Sequence, residues 1–97
     1  MKLYNEVIVC YDVEDNRTRG RIFERLKDIG LRPIQKSVFW GHVNSAEERA
    51  ILRLFREELN RDTDMAFLVR ADLGATVERN GFGYASETFA LASHATL

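Results

Sequence analysis

Apolar and polar residues follow two different periods along the chain, and the changes of period mark out its elements. Leu3, Val7, Val9, Tyr11 and Val13 fall on one face of an extended run, which predicts a strand over residues 3–13. Ile8 and Cys10 are apolar on the other face, so this strand is predicted to be central and covered on both sides. The spacing then lengthens: Ile22, Phe23, Leu26 and Ile29 form a helical stripe, with Asp15 or Asn16 as N-cap and Gly30 as the stop. Pro33 biases Arg32 toward an extended conformation. Residues 34–43 are extended again, as one bent strand or two short ones meeting near Gly41. Asn44 or Ser45 opens a second helix to about Leu59, and Ser45 with Glu48 fits a capping box. Met65–Leu73 reads as a further strand, and the Gly- and Ala-rich tail from Gly74 has room for a last strand near Phe82–Phe89.

If the middle extended region is a hairpin, the order is βαββαβ, the α+β ferredoxin-like sandwich, as one domain over residues 1–97. Both helices then cover one face of an antiparallel sheet. The second apolar face of the first strand is left over, and an uncovered apolar face is an interaction surface. A second copy of the same sheet is the simplest cover, so a homodimer joined through the sheets or their edges is expected.

Composition narrows this only a little. The 97 residues carry a net charge of −1, which does not advertise a nucleic-acid partner. Arg17, Arg19, Arg21 and Arg25 nevertheless cluster at the start of the first helix, whereas beyond Thr63 only Arg70 and Arg79 are basic. A local patch can touch phosphate because screening limits distant charges to roughly 10 Å. Cys10, the single cysteine, excludes an intramolecular disulfide and fits a reducing compartment. The first residues, interrupted by Glu6, lack a signal-peptide apolar region, and no apolar run approaches the ~20 residues that span a bilayer. A cytoplasmic protein with no membrane association is expected.

Three stretches are candidates for chemistry. "VIVCYDVEDNRTRGR" closes a strand on Asp12 and turns into an arginine-bearing helix. Arg19 falls near the centre of the inward stripe, Arg17 points nearly opposite, and Arg21 lies to the side. Arg19 and Asp12 either form a buried pair that fixes the turn or face a shared ligand. On position alone Arg17, Arg21 and Arg25 read as solvated charges. One carboxylate is a poor metal site, but a symmetric dimer would duplicate Asp12. "QKSVFWG" is foremost a strand; Ser37 has no activating base at motif spacing, and Phe39 and Trp40, if exposed, would stack on bases. "NGFGYASETF" partly mimics an RNA-binding glycine–aromatic pattern. Asn80 replaces its leading base, Glu87 fills its last aromatic position, and it follows the second helix, so it reads as a turn and an edge strand. His42 and His94 lie far apart without ligand spacing and read as structural or solvated.

Together these segments resemble a family. A strand ending in "YDV", arginines at Arg19 and Arg21, and "LKDIGLRPIQKSVFWG" are similar to CRISPR-associated protein 2, closely over residues 3–43 and in element order beyond. The resemblance implies a ferredoxin-like homodimer, a divalent-metal-dependent endonuclease using Mg²⁺ or Mn²⁺ on RNA or duplex DNA. It also implies a bridge between dimers of the CRISPR-associated protein 1 integrase during spacer acquisition. Asp12 matches the metal-binding, catalytic acid, one from each subunit, and Tyr11 is its supporting neighbour. Arg19 and Arg21 match the nucleic-acid-binding arginines of the helix, with Arg17 beside them, and Ser37 and Phe39 match the second-strand motif. The tail from residue 74 corresponds to a strand packing on the partner subunit. Pro33 departs from the family, standing where members often have a base, although Arg32 lies beside it. The alternatives are a scaffold without catalysis that grips duplex DNA, and, more remotely, a small-molecule-sensing regulator of the same fold.

Overall fold

The structure, a computed structural model, describes residues 3–85 and 87–89. Its elements run β1 (Asn5–Asp12), α1 (Asn16–Ile29), β2 (Arg32–Gln35), β3 (Val38–Val43), α2 (Ser45–Glu58), β4 (Met65–Arg70) and α3 (Leu73–Asn80). The strands form one sheet in the order β2-β3-β1-β4, antiparallel throughout. This is the expected α+β split-βαβ arrangement, with α1 and α2 on one face.

Local chemistry explains the helix ends. Asp15 accepts the Thr18 N–H at 2.9 Å and so caps α1. At its other end Gly30 adopts φ 113°, a conformation that glycine reaches without a Cβ penalty. Around α2 the capping box is Asn44 with Glu47, each backbone N–H donating to the other's side chain at 2.8 Å. The expected Ser45–Glu48 box is one residue out of register. Glu48 is instead held by Asn5 and Arg70, which ties α2 to both β1 and β4.

The middle extended region is two strands, but they meet at Lys36 and Ser37, not near Gly41. Ser37 takes φ 63°, which costs an L-residue about 1 kcal/mol. Its carbonyl accepts the Tyr11 N–H at 3.1 Å, locking the hairpin onto β1. Gly41 serves packing: a Cβ there would lie 2.6 Å from Leu31 Cδ2 and 3.3 Å from Leu31 Cα.

Val7, Val9, Tyr11 and Val13 of the β1 segment meet Phe39 and Val43 of β3 beneath Ile22 and Leu26 of α1 and Ile51 and Leu54 of α2. Each fully buried aliphatic or aromatic side chain stabilises the fold by about 1.5–3 kcal/mol. Leu3, placed by its spacing in the same stripe, lies outside β1 and is exposed.

The C-terminal third differs most from expectation. β4 stops at Arg70, and residues 73–80 are helical where a strand end and a tail are predicted. Asp72 supplies no side-chain cap. The Leu73 N–H donates instead to Glu6 Oε2 at 2.7 Å, and the same oxygen accepts Trp40 Nε1–H at 2.7 Å. Among the described residues of Phe82–Phe89 there is no strand. Tyr84 O–H donates to Gln35 Oε1 at 2.8 Å, Arg32 Nη1 donates to the Thr88 carbonyl at 3.2 Å, and the Phe89 ring stands edge-on to Trp40 at 5.1 Å. This part of the tail lies on its own β2–β3 surface. Residues 90–97, including His94, lie outside the described residues.

Candidate functional site

The candidate site is built around the end of β1, where strand alternation separates two neighbours. Tyr11 points under the helices and is 6% exposed. Burial pushes its phenol pKa up, opposed by the nearby Arg19 guanidinium. Asp12 points the other way, is exposed, and makes no hydrogen bond or ion pair among the described residues. Arg19 does turn inward, but of the two alternatives the private Asp12–Arg19 pair is not formed. Its Nη1 donates to the Val13 carbonyl at 2.8 Å and its Nη2 to Asn16 Oδ1, so it latches the β1–α1 loop on the helix side.

The structure brings Tyr11, Arg19 and Ser37 together, with Phe23 and Lys36, around a cleft of about 520 Å³ beside the β2–β3 turn. Phe39 is not available to a ligand. It is fully buried, with the Phe23 ring edge-on at 5.3 Å and the Tyr11 ring at 6.1 Å, so the exposure on which base stacking depends is lacking. Trp40 is likewise covered, by Phe89 and by His42 at 5.2 Å. Arg21 is clamped to Glu58 at 2.7 Å, with Thr18 Oγ1 as a second partner at 3.2 Å. Arg17 lines a separate cleft of about 650 Å³ whose other walls include Glu14, Asp15 and Asp64.

Asp64 escapes sequence reasoning, because nothing near it announces a partner 50 residues away. Its carboxylate accepts the Glu14 N–H at 3.0 Å and the Asn60 N–H at 2.9 Å, joining the β1–α1 and α2–β4 loops. Those backbone donors hold its pKa below the usual carboxylate range, as the Thr18 N–H does for Asp15.

On the open side, Asp12 shares a surface with Ile8 and Cys10 of β1 and with Met65, Phe67 and Val69 of β4. The three β4 side chains are exposed, whereas burial pushes the Cys10 thiol pKa up. Among the described residues no three His, Cys, Asp or Glu side chains converge as metal ligands. An uncommitted carboxylate suits a divalent cation, yet one chain supplies only one such ligand at this place. No described helix is long and apolar enough to cross a membrane.

Fold and site together define a small split-βαβ protein with a single uncommitted acid at the end of its first strand. The profile of the family described as CRISPR associated protein Cas2 matches residues 5–76. The chain belongs to that family. It is 43% identical to CRISPR-associated endoribonuclease Cas2 1 of Francisella tularensis subsp. novicida, over 92% of this chain and 91% of that protein. It is 40% identical to CRISPR-associated endoribonuclease Cas2 of Korarchaeum cryptofilum, over 55% of this chain and 57% of that protein. The crystal structure of Streptococcus pyogenes Cas2 superposes with a TM-score of 0.67 at 22% identity, covering 80% of this chain and 99% of that one.

Proposed function

We propose that the protein is a divalent-metal-dependent endonuclease that cleaves phosphodiester bonds of RNA or duplex DNA as a homodimer. We further propose that this dimer bridges integrase subunits of CRISPR-associated protein 1 during spacer acquisition. The observation that carries the nuclease reading is Asp12, a carboxylate with no partner of its own on a half-open apolar sheet face. Two such faces in contact would bring two Asp12 side chains to one cleft, supplying the second ligand that one chain lacks. The relatives' description as endoribonucleases supports the same chemistry.

Asp12 from each subunit would hold Mg²⁺ or Mn²⁺, which when bound polarises a phosphodiester and lowers the pKa of a coordinated water. The chain's own residues then divide the remaining work. Arg19 fixes the loop that follows Asp12, and Lys36 and Ser37, which line the Tyr11 cleft on the other side of β1 from Asp12, would offer a cation and a hydroxyl to a neighbouring phosphate.

Asp12→Asn keeps the shape and removes the charge. It is expected to reduce Mg²⁺-dependent cleavage at least 100-fold, in protein shown free of contaminating nuclease, while leaving nucleic-acid binding intact. Undiminished cleavage would overturn the assignment. A second reading is a scaffold without catalysis. It predicts that Asp12→Asn still supports spacer integration.

A further inference from the structure

The outer face of α2 holds a group of charges that the site at Asp12 does not use. Three of its four acids are committed, since Glu47 caps the helix, Glu48 holds Asn5 and Arg70, and Glu58 holds Arg21, while the fourth, Glu57, is exposed. The arginines of the same helix behave in the opposite way. Arg49, Arg53 and Arg56 are exposed and make no hydrogen bond or ion pair among the described residues. Their spacing of four and three residues places them on one face. Arg25 of α1 joins Arg53 at a groove of about 200 Å³ between the helices, whose lining also includes Glu57 and Glu58, so Arg25 adds a base beside the strip rather than a continuous cationic surface.

We propose that this face is a second binding surface, taking the sugar–phosphate backbone of a nucleic-acid duplex without reading its sequence. Arg49 to Arg56 spans about 10 Å of helix, a length over which a DNA duplex presents about six phosphate charges. Charge complementarity favours a polyanion over a protein partner. Leu52 is the one sizeable apolar side chain exposed on this face of α2, and no aromatic anchor of the kind that dominates protein interfaces accompanies it. The strip lies on the helix side of the sheet, opposite Asp12, so it stays open when the Asp12 face is covered. A duplex gripped there is held away from the cleavage site, and the surface adds affinity without turnover.

The test is fluorescence anisotropy with a labelled 30-base-pair DNA duplex of mixed sequence, in EDTA and across a salt series. Arg49→Gln combined with Arg53→Gln is expected to weaken binding about tenfold and to lower the slope of log K against log salt by about two. Glutamine preserves helix propensity, and unchanged circular dichroism and melting temperature certify the fold. Arg49→Lys with Arg53→Lys retains the charge and is expected to keep the parent slope. Arg79→Gln, in α3, removes one charge elsewhere and is expected to change affinity less than twofold. The proposal is overturned if the parent does not bind the duplex, if the double glutamine variant binds like the parent, or if Arg79→Gln costs as much per charge. Asp12→Asn should bind the duplex normally, so failure at Asp12 and failure here are read separately.

Discussion

On the helix side of β1, Val7, Val9, Tyr11 and Val13 are sealed beneath α1 and α2. On the opposite side Ile8, Cys10 and Asp12 adjoin Met65, Phe67 and Val69, which keep 67%, 55% and 44% of their surface exposed. The two faces are similarly apolar in sequence, yet one is core and the other is surface. The difference lies in what covers them. Two helices close the first face along its length, while the tail segment with Tyr84 and Phe89 closes only the β2–β3 half of the second. Hydrophobicity alone therefore does not say which property a residue supports. Substitutions on the first face should read out in folding, and those on the second in association.

The largest effect is expected from Phe39→Ala. Removing a fully buried ring should cost about 3–5 kcal/mol in denaturant unfolding at fixed protein concentration. A loss below about 1 kcal/mol would mean that the helix face is not the core of the molecule. Phe67→Glu should leave the circular dichroism spectrum intact while weakening self-association at least tenfold by analytical ultracentrifugation. Unfolding of Phe67→Glu, or unaltered association, would erase the distinction between the faces.

A smaller effect, read by pH, concerns the loops beside Asp12. Asp15 and Asp64 accept backbone N–H bonds that only the folded chain provides, and their folded pKa values are depressed. Their contribution to stability is therefore full at neutral pH and is lost as pH falls below about 4 toward those lower values. Asp64→Asn should lower the melting temperature at pH 7 and flatten its decline in acid, since the amide carries no proton to gain. An unchanged pH profile would remove Asp64 as the tie between the loops.

Much of this was legible in the residues. The first helix could be bounded at both ends because Asp15 and Gly30 carry their signals locally. The apolar residues on both sides of β1 announced that one face would remain to be covered. The capping box of α2 was ambiguous by one position, since Asn44 with Glu47 and Ser45 with Glu48 both satisfy the pattern, and only tertiary demand on Glu48 decides between them. The hairpin turn is hard to place for a related reason: a glycine suggests a bend, but Ser37 takes the left-handed position and Gly41 makes room for Leu31. Helix α3 carried no local start signal, because its first N–H is satisfied by Glu6, 67 residues earlier. The lack of an Asp12–Arg19 pair follows from the strand period itself. The alternation that puts Val7, Val9 and Tyr11 under the helices turns Asp12 away from them.

Trp40 lies where the closed and open halves of the second sheet face meet. It is the only tryptophan in the chain, 3% exposed, with its indole N–H on Glu6 and its ring against Phe89. Indole emission follows the polarity around the ring, so the chain carries a built-in optical probe of its own tail. Lifting that segment would wet the ring and shift its emission to the red, without any label being attached.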